Sequence, residues 1–319
     1  MMVYGGKRVM GKIAFVFPGQ GAQKVGMGKE FYEYSPIAKE IFDQAGEAVG
    51  LDLKALCFEE NDDINITEFT QVALLTTSVA IMEVLRDKGL KPDVAAGLSL
   101  GEYCALVAAD SMSYIDAAKA VRKRGIYMQE EVPAGVGGMA AVMGLDAPQI
   151  EKAIEGIDQV QVANYNCPGQ IVISGKKEAV EAGAAKCKEA GAKRTVMLNV
   201  SGPFHSDLLK GAGTKLEAVL NGIEISAPKI PYVANVTAGY VTEQSDIQPL
   251  LVRQVSSSVR WQQSVETMSA DGVDTFIEIG PGRTLAGFNK KIGKAIGKEL
   301  TTYSVGTIAE MDALLETLA

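Results

Sequence analysis

The sequence predicts an α/β fold, with a parallel-sheet core interrupted by a smaller βαββαβ unit. Three observations lead there. Apolar runs of strand length alternate with helical patterns over the first 130 residues, the segment from about 137 to 200 switches to closely spaced short strands, and strand and helix patterns then alternate again. Lys12-Ile-Ala-Phe-Val-Phe17 reads as a buried strand, and the turn Pro18-Gly-Gln-Gly-Ala-Gln23 follows it. Helical patterns lie near 35–49 and 70–89, and Asp93-Val-Ala-Ala-Gly97 is a short buried strand. A helix begins at Gly101 and runs to about 109, and a second, from about 114 to 131, ends before Pro133. The texture then changes to strand 139–142, helix 147–155, strand 159–163, strand 170–174, helix 176–190 and strand 195–200, which is the order of a ferredoxin-like unit. Strands at 230–234 and 274–279 and helices at 206–221 and 261–270 return the chain to the main sheet. This layout implies a large subdomain from 12–131 and 201–319, a small one at 132–200, and a leader or cloning remnant at 1–11.

Composition narrows the function classes. The chain has 319 residues, 47% hydrophobic and 22% charged, enough for one large core or two unequal ones. A net charge of −8, with no basic stripe interleaved with aromatics, argues against nucleic acid or an anionic membrane as a partner. No uninterrupted apolar span approaches the roughly 20 residues of a membrane helix, and the N-terminal segment lacks a signal-peptide core. Cys57, Cys104, Cys167 and Cys187 are far apart and lack CxxC spacing, so they read as reduced core thiols in a cytoplasmic protein. With a single His, zinc is not expected.

Gly97-Leu98-Ser99-Leu100-Gly101 lies between the short buried strand and an Ala-rich helix. It has the form of a nucleophile elbow, in which a sharp strand-to-helix turn lifts the Ser hydroxyl above the sheet edge. The plain alternative is an ordinary Ser in a βα turn. A serine nucleophile needs a base, and His205, in the loop Val200-Ser-Gly-Pro-Phe-His-Ser206, is the single His of the chain. No acidic residue stands in a context that singles it out as the group orienting His205, and a backbone carbonyl can hold Nδ1–H instead. The oxyanion donors expected are the N–H of Leu100, which follows the nucleophile, and one from the turn Gly19-Gln20-Gly21. That turn fails as a dinucleotide fingerprint because Lys24 stands where a third Gly is needed.

On the helix 114–131, Tyr114, Ala117, Val121, Arg124 and Met128 form one stripe, so Arg124 interrupts an inward apolar face while Arg122 and Lys123 point to solvent. A guanidinium there needs an anion, because an unpaired buried charge is expensive. Either a structural ion pair to Asp or Glu or a bidentate clamp on a substrate carboxylate satisfies it.

Six ordered segments then resemble the bacterial malonyl-CoA:acyl carrier protein transacylase family: Phe17-Pro-Gly-Gln-Gly-Ala-Gln23, Gly97-Leu-Ser-Leu-Gly-Glu-Tyr103, Arg124-Gly-Ile-Tyr-Met-Gln129, Asn164-Tyr-Asn-Cys-Pro-Gly-Gln170, Gly202-Pro-Phe-His205 and Glu278-Ile-Gly-Pro-Gly282. The resemblance runs from about residue 12 into the C-terminal region. It implies an α/β-hydrolase-like large subdomain with a ferredoxin-like insert. It also implies ping-pong transfer of a malonyl group from malonyl-CoA, through an ester on Ser99, to the thiol of a holo acyl carrier protein for fatty acid synthesis. No metal or redox cofactor is implied. By the same resemblance His205 is the base, Arg124 the malonyl clamp, and the amides of Gln20 and Leu100 the oxyanion hole. The resemblance also implies that a backbone carbonyl at Arg260, in Ser257-Ser-Val-Arg-Trp261, orients His205. Asn166 and Phe204 join the substrate site, the Phe204 ring crowding an α-methyl branch. Leu98 departs from the family's frequent His before the serine, and Arg260 from the Gln of some relatives. A serine esterase or thioesterase, an acyl-carrier-binding scaffold and a polyketide-type acyltransferase domain are the competing readings, and the lack of flanking domains favours a discrete enzyme, expected to be a monomer. Lys290, Lys291, Lys294 and Lys298 form a basic cluster that is either a solvated helix face or a surface for an acidic carrier.

Overall fold

The first strand sets the architecture. In Lys12–Phe17 (β1) the last four side chains are fully buried, which suits a central position in a sheet covered on both faces. The computed structural model describes residues 11–133, 135–200 and 202–318. Residues 1–10, most of the expected leader, lie outside them. After β1 come α1 (Lys29–Tyr34), α2 (Pro36–Val49), α3 (Leu53–Phe58), α4 (Thr67–Asp87), β2 (Val94–Gly97), α5 (Gly101–Ala108) and α6 (Tyr114–Glu130). Next are β3 (Gly137–Met143), α7 (Ala147–Ile154), β4 (Val160–Cys167), β5 (Gln170–Lys176), α8 (Lys177–Glu189) and β6 (Arg194–Met197). The chain finishes with α9 (Lys210–Leu220), β7 (Tyr232–Val233), β8 (Tyr240–Val241), α10 (Gln244–Gln254), α11 (Trp261–Ala270), β9 (Val273–Ile279), α12 (Thr284–Ala295), β10 (Thr301–Val305) and α13 (Ile308–Leu318).

Six strands form one sheet in the order β10-β9-β1-β2-β7-β8, parallel except for the β7–β8 pair. Their covering helices make this the α/β layer expected from the alternating pattern. The other four strands pair antiparallel in the order β4-β5-β3-β6, with α7 and α8 packed on them around Ile150, Ile171, Ile173 and Val180. That is the ferredoxin-like strand order.

Several elements escaped the sequence pattern. The helices α1 and α3 have six residues each, too short to show a helical period, and α10 carries Pro249 in its interior, which reads as a breaker. The last strand of the insert, β6, expected over 195–200, ends at Met197, where its ladder with β3 stops. The helix α4 is long and apolar enough to cross a membrane by length and composition, although no uninterrupted apolar span was expected. It is instead a core helix: sixteen of its residues, Val72 to Met82 among them, are buried. The four cysteines are free and buried, as expected of core thiols.

Candidate active site

The site forms where β2 ends. Gly97 closes the strand, Ser99 takes a positive φ of 55°, and α5 starts at Gly101. Both glycines are required by close approach: a Cβ on Gly97 would meet the Gly101 carbonyl, and one on Gly101 would meet that of Phe17. Asn235 holds the turn, its Oδ1 accepting from the Ser99 N–H at 2.6 Å while its Nδ2 donates to the Gly97 carbonyl at 2.6 Å. A non-Gly residue stays in the left-handed region only where its surroundings over-determine it, and these bonds do so.

His205 lies 106 residues further on in sequence, also at a positive φ, 58°. Its Nδ1 stands 2.8 Å from the Gln254 carbonyl. A carbonyl only accepts, so Nδ1 carries the proton and Nε2, 2.7 Å from Ser99 Oγ, is the acceptor for the hydroxyl. Burial and, after it, the Arg124 charge push the imidazole down to about 4, so at neutral pH it is uncharged and able to take a proton.

The structure corrects one expectation here. The carbonyl that holds His205 belongs to Gln254, not Arg260. Arg260 caps α11, and its carbonyl is occupied by the Ser264 N–H at 2.9 Å and the Ser264 hydroxyl at 2.8 Å. Its guanidinium lies over the Tyr165 ring, away from the imidazole.

Arg124 is 1% exposed and sits on the buried stripe of α6. Its Nη1 donates to Gln71 Oε1 at 2.6 Å, and its Nη2 to Gln254 Oε1 at 2.9 Å and to Ser99 Oγ at 3.1 Å. Its Nε has no partner among the described residues. No carboxylate pairs with it among the described residues, so the structural ion pair is absent, and two neutral amides position a full positive charge beside the hydroxyl. Burial pulls its pKa below the ordinary guanidinium value. Arg122, expected in solvent, is instead partly buried, paired with Glu68 and stacked over the Phe69 ring. Lys123 is exposed as expected.

A cavity of about 210 Å³ opens over this arrangement, lined by Gln20, Leu100, Asn166, Phe204 and Phe288 besides Ser99, Arg124 and His205. Gln20 reaches it because Gly19 packs against the elbow, where a Cβ would lie 2.6 Å from the Leu98 carbonyl. The N–H groups of Gln20 and Leu100 donate to no acceptor among the described residues. Asn166 projects from β4 and Phe204 precedes His205; both are buried. The lysines Lys290, Lys291 and Lys294 lie exposed on α12, whose Thr284 and Phe288 line the mouth.

Gln71, Asn235 and Gln254 escaped the sequence reading altogether. Amide side chains carry no motif of their own, and these come from α4, a loop and α10, brought together only by folding.

Hydroxyl, uncharged imidazole, free N–H groups and an unpaired cation around one cavity are the parts of acyl transfer to or from an anionic acyl group. Known proteins agree with that chemistry. Residues 14–315 match the family model described as acyl transferase domain. The chain is 47% identical over 314 residues to the malonyl CoA-acyl carrier protein transacylase of Bacillus subtilis, covering 97% of this chain and 98% of that protein. The crystal structure of malonyl CoA-acyl carrier protein transacylase from Clostridium perfringens superposes with a TM-score of 0.92 at 43% identity, covering 96% and 97% of the two chains. A malonyl-transacylase in complex with its type II PKS acyl-carrier protein gives a TM-score of 0.91 at 42% identity over 96% and 99%. With likeness of this extent in sequence and in fold, the chain belongs to the malonyl CoA-acyl carrier protein transacylase family.

Proposed function

We propose that this protein transfers the malonyl group of malonyl-CoA to the phosphopantetheine thiol of an acyl carrier protein, by way of a malonyl ester on Ser99, and so supplies chain-extender units for fatty acid synthesis. The observation that carries the reading is Arg124: a buried guanidinium with no carboxylate partner among the described residues, 3.1 Å from the nucleophile. An esterase has no use for that charge, whereas a malonyl group brings a free carboxylate to it.

In the acylation half, His205 Nε2 takes the Ser99 proton as Oγ attacks the thioester carbonyl. The oxyanion is received by the N–H groups of Gln20 and Leu100. The imidazolium, held in orientation by the Gln254 carbonyl, returns the proton to the departing CoA sulfur. The second half runs in reverse, the carrier thiol giving its proton to His205 and attacking the Ser99 ester. Arg124 keeps the malonyl carboxylate in one place through both halves, while Phe204 narrows the room beside the α-carbon and disfavours a methyl branch. Asn166 lines the same cavity. The four buried thiols suit a reducing cytoplasm, where we place the enzyme.

Intact mass spectrometry tests the proposal. Mixing with malonyl-CoA adds one malonyl group, lost when holo acyl carrier protein is added and gained by the carrier. A protein that stays unmodified, or an adduct that water alone removes, overturns it.

A further inference from the structure

Glu102 is a buried titratable group for which the transfer mechanism has no role. It stands on α5, one residue into the helix that follows the elbow, and is fully buried. Its Oε2 accepts from Gln254 Nε2 at 2.6 Å and from the Asn235 N–H at 3.1 Å, while Oε1 is buried without a partner among the described residues. The Gln254 amide therefore stands between two opposite charges, Nε2 turned to Glu102 and Oε1 to Arg124. Glu102 and Arg124 do not touch. A direct pair would consume the guanidinium; this spacing leaves it free while the carboxylate still acts on the same low-dielectric site.

Under the malonyl-transfer reading, on which this inference rests, the substrate brings a second anion to one cation. We infer that Glu102 is a specificity-determining positioning residue: through the Gln254 amide its carboxylate sets how strongly Arg124 holds an anionic acyl group, and it takes up a proton when that group is bound. The proton comes from solvent and goes to Oε1, leaving Oε2 to accept both of its hydrogen bonds, so no other bond changes.

The groups around Glu102 leave the charge change to it. Arg124 faces it from α6 and remains a cation. Tyr103 on α5 and Tyr232 on β7 are both pushed upward by burial and stay neutral. His205, beyond Gln254, is pushed down to about 4 and is also neutral. Burial raises Glu102 itself to about 7, against the opposing pull of Gln254, Asn235 and Arg124.

The test is the ratio of malonyl-CoA to acetyl-CoA kcat/KM, with holo acyl carrier protein as acceptor, between pH 6 and 8.5. Taking the ratio cancels ionisations common to both thioesters. In the wild type it falls about tenfold as Glu102 ionises, since one unit of coupling is a factor of ten. In Glu102→Gln, whose amide oxygen still accepts from Gln254 and Asn235, the ratio is flat and at pH 8 stands about fivefold above the wild type. A flat wild-type ratio, or a parallel fall in the variant, overturns the inference. Should the variant fail to fold, proton uptake by the wild type in weak buffer at pH 7 decides. Uptake on malonylation in excess of that on acetylation supports the inference, and no excess overturns it. Malonyl transfer that is intact with a flat ratio refutes this inference alone, whereas absence of a malonyl adduct refutes the transfer reading beneath it.

Discussion

The two arms of the site are held by different means. Ser99 and His205 both stand at positive φ, 55° and 58°; Asn235 fixes the backbone of the Ser99 turn, and the Gln254 carbonyl holds the His205 imidazole. Arg124 sits on a regular helix, its guanidinium placed by the side chains around it, chiefly the amides of Gln71 and Gln254. The contrast amounts to a division of labour. On the proposed malonyl-transfer reading, the backbone-held arm performs the bond exchange for any acyl group, and the side-chain-held arm selects which acyl group is exchanged.

Breaking the first arm gives the largest effect. Ser99→Ala abolishes the acyl-enzyme, because no other hydroxyl occupies the elbow. His205→Ala lowers transfer by roughly 10²–10⁴-fold for malonyl and acetyl groups alike, the usual worth of a positioned acid–base group. An adduct retained on Ser99→Ala, seen by intact mass, would contradict the assignment.

Breaking the second arm separates substrates. Charge-assisted hydrogen bonds are worth roughly 1.5–3 kcal/mol each, so Arg124→Ala lowers malonyl-CoA kcat/KM by at least about 10²-fold. Acetyl-CoA has no carboxylate to lose, and its use changes little or rises. Equal losses on both thioesters, with circular dichroism unchanged, would make Arg124 structural.

The next effect is on stability and belongs to the first arm. His205 has its ordinary value near 6.5 in the unfolded chain and about 4 when folded, so between those values the unfolded state binds more protons. Stability therefore falls as the pH drops from about 6.5 towards 4, by an amount that His205→Gln, which does not titrate, loses. Chemical denaturation of both proteins at pH 5 and 7 measures it, and identical pH dependence would show that the imidazole is not held neutral.

The smallest effect sharpens the correction at Arg260. Because the orienting carbonyl is that of Gln254 and the Arg260 side chain lies over Tyr165, Arg260→Gln retains most activity with both thioesters. A loss matching that of His205→Ala in a steady-state assay would return Arg260 to the site.

The legible parts of the site were those with a local signature. The elbow shows in five consecutive residues, because its glycines answer a backbone collision within the turn itself. The inward direction of Arg124 shows in the three- and four-residue spacing of the α6 stripe, which the buried Ala117, Val121 and Met128 bear out. Arg122, on the same helix, was misread because Glu68 and Phe69, which shield it, come from α4. The short helices and Pro-bearing α10 were missed for want of a period, and with α10 went Gln254.

By itself, then, the sequence determined the α/β layering, the antiparallel insert, the serine, its histidine and the inward arginine, since hydrophobic period and turn sterics are written in neighbouring residues. How these groups are wired follows from folding. Gln254 lies 155 residues from Ser99 and 152 from Glu102, yet joins both to His205 and Arg124. An amide becomes a wire between charges only when folding removes water and brings donors and acceptors of several elements within about 3 Å, a condition no local pattern encodes.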